Sequence, residues 1–422
     1  MSGEGSGETA PAGATSGAQA VEFAPDELEW NPFLPDVHAD PYPLYRRLRT
    51  EDPVHWNAPG VWILTRYDDA VRMLRHPRMS SDFRNSELFE MFRQMNPAFV
   101  DDREPSMLFR DPPDHTRLRN LVTRAFSVRM IEGLRPFIQR TIEGLLDGLA
   151  GRDDAELIAE LAHPLPVVVI CEMLGVPAED QQLFSRWSDD LVQMLDPMAG
   201  PDVLQRATES ELAFDGYFHA LIGERKKAPR DDVLSALIAA EEEGQRLSEE
   251  ELLRTLILLL VAGHETTVNL ISNGMLALLR HPEQREQLAG DPSLLRNAVE
   301  ELLRYDAPVQ LTGRIALEDM EFGGKRVRKG QQVVALVGAA NRDPGQFADP
   351  DRLDLGRQDI RHIAFGGGIH FCLGASLART EGQMAIGALV SRFPRMELAT
   401  DLPRWRDTIT LRGLEALPVR LR

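Results

Sequence analysis

The chain has 422 residues and is poor in cysteine, in lysine and in long apolar runs. Its two cysteines, Cys171 and Cys372, are too few for the disulfide framework of a small secreted protein, so they indicate a reducing cytoplasm. Lysine supplies only 4 of the 47 basic residues, whereas acidic residues leave a formal net charge of −19. This acidic balance argues against nucleic acid and anionic membrane surfaces as partners.

The sequence also argues against a membrane anchor. The longest apolar run, from Leu256 to Gly263, is far too short to span a bilayer. Residues 1–20 are rich in small residues and lack both the basic start and the apolar core of a signal peptide, so we predict a disordered tail. Because no repeat or long linker follows, we predict that residues 21–422 form a single domain.

Apolar periodicity predicts a mainly α protein with a small β region. The predicted helical ranges are 41–50, 68–76, 111–126, 131–149, 164–174, 178–227 as more than one helix, 248–280, 291–307 and 375–393. The predicted strands are a hairpin of 54–56 and 61–64 around residues 58–60, then 311–314 and 326–337. Residues 79–109 have weak periodicity, which predicts an irregular, mobile segment.

The longest predicted helix begins at Ser248, which forms a capping box with Glu251. At 1.5 Å per residue the helix to Arg280 is roughly 50 Å long, enough to cross the whole molecule. Its middle carries Ala262-Gly263-His264-Glu265-Thr266-Thr267, where a buried glutamate and weak helix formers break the local pattern. This stretch predicts either a plain helix kink or a local opening for oxygen, with an acid and an alcohol beside it.

A second motif is the glycine-rich stretch Phe365–Gly374, which contains His370 and Cys372 and leads into a helix. Glycines let backbone press against a flat group, and the positive end of the helix dipole predicts a lowered pKa and a thiolate at Cys372. No second Cys or His lies at the spacing of a protein metal site. The loop is therefore typical of a site that gives a metal a single axial ligand while a cofactor supplies the others, as in haem. A core cysteine beside a turn is the alternative.

Two further pairs are ambiguous by themselves. Glu301 and Arg304 lie three apart on a predicted helix, a spacing that most often gives a surface ion pair. His115 and Arg119 lie four apart and share a helix face, which a merely solvated face would also explain.

Taken in order, these motifs resemble those of the cytochrome P450 family of haem-thiolate monooxygenases over about residues 30–422. The resemblance implies the cytochrome P450 fold, with haem b held between the long central helix and the helix after the cysteine loop. It implies Cys372 as the iron ligand, and it implies haem contacts from His115, Arg119, Arg314, His370, Phe365, Gly366 and Gly374. The oxygen-activating residues it implies are Ala262, Gly263, Glu265 and Thr266.

The family also has a structural triad, which the resemblance assigns to Glu301 and Arg304 with a third residue, Arg357. Arg352 is the other candidate for that third position. His362 is a further candidate for the haem propionates, although an ordinary loop histidine explains it equally well.

The resemblance implies that one atom of O2 enters a small, largely apolar substrate, plausibly a polyketide or macrolide, in a soluble monomer of the cytoplasm. Because no flavin or nicotinamide motif is present, electrons are expected from a ferredoxin and an NAD(P)H-dependent ferredoxin reductase. A basic patch is expected to steer the ferredoxin, formed by Arg117, Arg124, Arg357, Arg361 and Arg379. A peroxide-driven oxygenase and a haem-based ligand sensor are the alternatives, and neither requires the Glu265–Thr266 pair.

Overall fold

The computed structural model describes residues 28–57, 60–95, 105–193, 200–241 and 244–421. The predicted tail at 1–20, most of the predicted turn at 58–60 and part of the 79–109 segment lie outside these ranges. Within them the helices are α1 Pro35–Ala39, α2 Tyr42–Glu51, α3 Tyr67–Arg75, α4 Phe89–Met95, α5 Asp114–Ala125, α6 Val128–Leu149, α7 Pro164–Leu174, α8 Gln181–Gln193, α9 Pro201–Lys227, α10 Val233–Ala239, α11 Glu249–Arg280, α12 Pro282–Gly290, α13 Leu295–Tyr305, α14 Val337–Ala340 and α15 Ala375–Arg392.

The strands in the same ranges form one five-stranded sheet and two smaller ones, in the order β1-β2-β8-β5-β3, β4-β10-β9 and β6-β7. They are β1 Val54–Asn57, β2 Val61–Leu64, β3 Met79–Ser80, β4 Asp154–Glu156, β5 Leu311–Ala316, β6 Met320–Phe322, β7 Lys325–Val327, β8 Gln332–Leu336, β9 Glu397–Leu398 and β10 Pro418–Arg420. The predicted mainly α architecture with a small β region is confirmed.

Helix α11 is the centre of the helical part. Ser248 Oγ accepts from the amide of Glu251 at 3.1 Å, and Glu251 Oε2 accepts from the amide of Ser248 at 2.9 Å, so the predicted capping box is present. By length and composition the helix could cross a membrane, but 67% of its apolar stretch is buried inside the protein. It packs against α7, α8, α13 and α15, and it is therefore a core helix.

Some elements differ from the sequence-based expectation. Helix α4 lies in the segment predicted to be irregular, and α10 and α12 were not predicted. Asp232 Oδ1 accepts from the amide of Ser235 at 2.7 Å, a cap that nucleates the short apolar helix α10. Asp291, predicted to cap a long helix, instead caps a 3-10 turn at Pro292–Leu294, and α13 begins only at Leu295.

A buried ionic cluster joins α13 to the segment before the cysteine loop. Glu301 and Arg304 are both fully buried, and Arg304 Nε and Nη2 donate to the two carboxylate oxygens at 2.7 and 2.8 Å. Arg357 Nε donates to both oxygens of Glu301 at 3.1 Å. Arg357 is therefore the third charged member, whereas Arg352 contributes only its main-chain carbonyl.

The two guanidinium groups also hold the turn-rich segment 341–357. Arg304 donates to the carbonyls of Asn341 and Pro350 at 3.0 and 2.7 Å. Arg357 donates to the carbonyls of Ala348 and Asp349 at 2.6 and 3.1 Å. A single carboxylate thus fixes two cations that in turn fix the main chain.

We expect Glu301→Gln to lower the free energy of unfolding by about 3–5 kcal/mol, because two buried guanidinium groups lose their counter-charge. Chemical unfolding of the protein, followed by circular dichroism, measures the effect. The matched control is Glu132→Gln, which breaks an exposed i,i+3 pair with Arg135 at 2.7 Å. That change should cost less than about 1 kcal/mol. Equal losses in the two variants would show that the buried cluster has no special role in stability.

Candidate active site

The stretch 365–374 forms a tight loop that ends where α15 begins. The Cys372 amide donates to the carbonyl of Phe365 at 3.0 Å and closes the loop. Gly366 and Gly368 have φ of 69° and 66°, in the left-handed region that favours glycine. A Cβ at Gly368 would collide with the carbonyl oxygen of Leu74 at the end of α3, so glycine is required there for space as well.

The Cys372 thiol lies next to the start of α15, where the amides of Gly374 and Ala375 donate to it. Burial raises the pKa of the Cys372 thiol above its ordinary value, and these amides with Arg119 and Arg379 only partly offset that effect. The predicted lowering of this pKa by the helix end is therefore wrong for the protein groups alone. The positive charge of a coordinated metal ion would act in the opposite direction and favour the thiolate.

The second cysteine has the environment of a core residue. Cys171 is completely buried in α7, and burial raises its pKa to about 12. It does not lie in a glycine-rich loop, and the groups that shift its pKa do not include a cation.

Four arginine or histidine side chains cluster at the cysteine loop. They are His115 and Arg119 on α5, Arg314 on β5, and His370 in the loop itself, and we call them the anion-binding cluster. The rings of His115 and His370 have centroids 4.1 Å apart. Arg119 Nη2 donates to the carbonyl of Phe371 at 2.7 Å, which ties α5 to the loop. Burial, followed by the charges of Arg314, His115 and Arg119, lowers the pKa of His370 to about 3.

The anion-binding cluster lacks a carboxylate of its own in the part of the chain that the structure describes. Burial lowers the pKa of Arg314 to about 10, with Asp111 acting in the opposite direction. Asp111 is engaged elsewhere, because its carboxylate accepts from Ser80 Oγ and the Ser81 amide.

Two buried ring nitrogens of the cluster, His115 Nδ1 and His370 Nε2, have no hydrogen-bond partner. Arginine side chains and ring nitrogens that lack partners can donate hydrogen bonds to carboxylate groups that bind between them. The cluster therefore fits the two propionates of a haem. His362 lies outside it, and its Nε2 contacts Glu300 Oε2 at 3.0 Å, which favours the alternative of an ordinary loop histidine.

One face of α11 remains accessible in the middle of the buried helix. Ala262 is exposed and Gly263 and Thr266 are half-buried, although the residues on the other faces of this stretch are mostly buried. Thr266 Oγ1 donates to the carbonyl of Ala262 at 2.9 Å, and Thr267 Oγ1 donates to that of Gly263 at 3.0 Å. The helix is continuous here, so the expected local opening is not present; the hydroxyls instead compete for helix carbonyls.

Glu265 points away from this face. It is 2% exposed, and its Oε1 accepts from Arg406 Nη1 and from Asn269 Nδ2, the latter at 3.4 Å. It lines a cavity of about 620 Å³, together with Arg406 and residues of α8. Successive helix residues are about 100° apart, which explains why the acid and the alcohol of the motif do not touch. Sequence reasoning missed Arg406, because 141 residues separate it from Glu265.

The expected basic patch is wrong as a set of free cations. Arg357 is 10% exposed and bound to Glu301, while Arg117 pairs with Glu251 and Arg379 pairs with Glu300. Arg361 pairs with Asp359 at 2.8 Å. The fifth arginine, Arg124, donates to the carbonyl of Glu241. The four carboxylates reduce the net positive charge around the loop, and steering of a ferredoxin by this patch stays a prediction.

Comparisons with known proteins agree with this geometry. The family model for Cytochrome P450 matches residues 56–403. Cytochrome P450 107B1 of Saccharopolyspora erythraea is 46% identical over 90% of this chain and 95% of its own length. The vitamin D(3) 25-hydroxylase of Pseudonocardia autotrophica is 46% identical over 90% of this chain and 94% of its own length.

The solved structures give the same result for the fold. The structure of the bacillaene polyketide synthase cytochrome P450 PksS of Bacillus subtilis matches with a TM-score of 0.85 at 42% identity, covering 93% of this chain and 99% of that one. The chain therefore belongs to the cytochrome P450 family: it is a haem-thiolate monooxygenase that uses dioxygen and a small-molecule substrate.

Proposed function

We propose that Cys372 is the thiolate ligand of the haem and that the anion-binding cluster holds the two propionates. The observation that carries this proposal is the convergence on one loop of a cysteine at a helix start and two imidazoles with unpaired buried nitrogens. Phe365, Gly366 and Gly374 shape the same loop, and Arg379 lies over the Phe365 ring at 4.4 Å. Haem bound there supplies the oxidising chemistry, in which one atom of O2 enters the substrate and the other leaves as water.

The accessible face of α11 supplies the polar group of the reaction. The hydroxyl on this face belongs to Thr266. The small side chain of Ala262, one helical turn earlier, leaves room for a water molecule next to that hydroxyl. We assign to the Thr266 hydroxyl the task of holding that water and directing a proton to the reacting oxygen. Its bond to the Ala262 carbonyl at 2.9 Å orients the hydroxyl and leaves its lone pairs available to accept.

Glu265 serves as the proton reservoir behind this face. Its carboxylate pairs with Arg406 and borders the 620 Å³ cavity, which can admit water from outside. A small rotation of the side chain toward Thr266 would pass a proton inward, and the unpaired Oε2 is the atom free to do so. Gly263, between Ala262 and His264, packs against α7, where an added Cβ would lie 3.5 Å from Ile170 Cδ1.

The electrons come from a separate ferredoxin and its NAD(P)H-dependent reductase in the cytoplasm, in keeping with the cysteine-poor, acidic chain. Because four of the arginines around the loop are ion-paired, apolar contacts can add to the electrostatic attraction of the ferredoxin. Ile369 and Phe371, 53% and 43% exposed, offer apolar surface at the loop itself.

The substrate is a bulky, largely apolar molecule, which we propose to be a polyketide or macrolide. The accessible face of α11 is apolar except for Thr266, because Leu258 and Ala262 precede it at intervals of four residues. Among relatives, PksS is named for polyketide synthesis, and another hydroxylates vitamin D(3), a compound that is also bulky and apolar.

The haem ligand is tested by spectroscopy of the reduced protein with carbon monoxide. We expect the strongly red-shifted Soret band of thiolate-ligated haem, and we expect Cys372→Ser to abolish it because a hydroxyl cannot replace the thiolate. Cys171→Ser is the control and should keep the band, since that thiol is packed in the core. A red-shifted band that survives in the Cys372 variant would reject the assignment.

The role of Thr266 is tested by coupling efficiency, the product formed per NAD(P)H oxidised. Thr266→Ala should keep the haem spectrum but lower coupling by about 10²-fold or more, with hydrogen peroxide as the escaping product, because the proton is misdirected. Thr267→Ala removes a hydroxyl bonded in the same way to a helix carbonyl, yet it is buried away from the accessible face and should change coupling little. Unchanged coupling in the Thr266 variant would favour a peroxide-driven enzyme or a sensor.

The substrate class is tested by titration of the haem-loaded protein, followed by its low-spin to high-spin shift. A macrolactone should give a complete shift at lower concentration than vitamin D(3) or a small aromatic compound. Leu258→Glu should weaken that response at least tenfold by placing a charge on the apolar face. Leu212→Glu, at a leucine that is 62% exposed, is the control and should leave it unchanged. A stronger response to vitamin D(3) would reject the polyketide class while leaving the monooxygenase assignment intact.

A further inference from the structure

Three metal-binding side chains meet beside the 620 Å³ cavity, on the side of α11 away from the accessible face, and two of them, His163 and Asp189, line it. They are His163 just before α7, Asp189 on α8 and His264 on α11, and one donor atom of each lies within 4.8 Å of the others. His163 Nε2 and Asp189 Oδ1 are 3.2 Å apart, and His264 Nε2 and Asp189 Oδ1 are 3.7 Å apart. A further carboxylate oxygen, Glu265 Oε2, lies outside this group of three and 3.7 Å from His264 Nε2.

The orientation of His264 needs an explanation, because the side chain is completely buried and its Nε2 has no hydrogen-bond partner. The opposite nitrogen, Nδ1, lies 2.8 Å from the oxygen of the buried Ser188. When Nδ1–H donates to Ser188 Oγ, the lone pair of Nε2 points to Asp189 and Glu265. This is how a hydrogen bond from the outer nitrogen of a histidine prepares the inner one for a metal ion.

An ordinary ion pair accounts for only part of the cluster. The contact of His163 with Asp189 satisfies these two groups, but His264 Nε2 and Glu265 Oε2 stay buried without a hydrogen-bond partner, 3.7 Å from each other. Unsatisfied buried donors and acceptors are costly and rare. A ligand that binds both of these atoms removes the cost.

The spacing of the donors suits a divalent cation of the zinc type. Bonds of about 2.0–2.2 Å in tetrahedral geometry place neighbouring donor atoms about 3.3–3.5 Å apart. The three measured separations of 3.2, 3.7 and 3.7 Å bracket this value. Two imidazoles with a carboxylate select zinc, cobalt, nickel or copper over magnesium and calcium, and the cavity provides a path of access.

We propose that His163, Asp189 and His264 form a binding site for a transition-metal dication, with Glu265 or a water molecule as the fourth ligand. When Glu265 is the fourth ligand the site is inhibitory, since the metal ion then occupies the free oxygen of Glu265 and keeps the carboxylate from moving toward Thr266. This second statement rests on the proposed function of Glu265, whereas the binding itself does not.

Calorimetric titration of chelator-treated, haem-loaded protein with Zn²⁺ tests the binding. We expect one site, weakened at least tenfold by His163→Ala and by His264→Ala, each of which removes a ligand. Ser188→Ala should weaken it about 10–100-fold, because the orienting hydrogen bond is lost. The control is His219→Ala, which removes a histidine that is 53% exposed and bound to Glu249, and it should leave the affinity unchanged.

Binding that persists in both the His163 and His264 variants, or that is lost with His219, would overturn the site. Because His163 is only partly buried, its variant keeps the test informative if the His264 variant fails to fold. Zn²⁺ should also slow product formation, and His163→Ala should relieve that inhibition by the same factor as it weakens binding. Zinc binding without any effect on turnover would reject the inhibitory role alone and leave the site intact.

Discussion

The buried carboxylate of Glu301 is the interaction on which the architecture of the site depends. Alone among hydrophobic neighbours it would be highly unfavourable, but two guanidinium groups satisfy it with four hydrogen bonds. Through Arg304 it also fixes Asn341, whose side-chain oxygen accepts from the amide of Ile363 at 2.8 Å. The Ile363 carbonyl in turn accepts from Gly366, so the cysteine loop starts from a point set by the ionic cluster.

The two sides of α11 have different chemistry, and this division organises the site. One side presents small residues and a single hydroxyl to the space beside the haem loop. The other presents Glu265 to a cavity bounded by α8 and the chain near Arg406, with the buried His264 next to it. In the proposed mechanism, the reaction and the proton supply lie on opposite sides of this one helix, and the adjacent residues Glu265 and Thr266 join the two sides.

Local patterns predicted much of this molecule. Three features depend only on residues that are close in sequence: the capping box at Ser248, the apolar helix 164–174 and the glycines of the cysteine loop. The structure has each of them where the sequence predicted it. The triad could be assigned because a known family supplied the third position. From spacing alone, Glu301 and Arg304 look no different from the exposed pair of Glu132 and Arg135.

Contacts between distant parts of the chain could not be predicted. Arg406 reaches Glu265 across 141 residues, and three separate elements bring His163, Asp189 and His264 together. Charge sign was also a poor guide, because the arginines near the loop turned out to have their own carboxylates. For Cys372 the helix-end effect was real, but burial, which sequence does not quantify, was larger.

The contact of Gly368 with the Leu74 carbonyl links the haem loop to the N-terminal part of the chain. That carbonyl belongs to the last turn of α3, where helix carbonyls lack helical partners and stand outward. The cysteine loop therefore packs against the end of a helix that lies some 300 residues earlier in the sequence. The position of the cysteine loop therefore depends on where α3 ends. Shortening α3 by one residue would shift the loop without changing any residue proposed to bind haem.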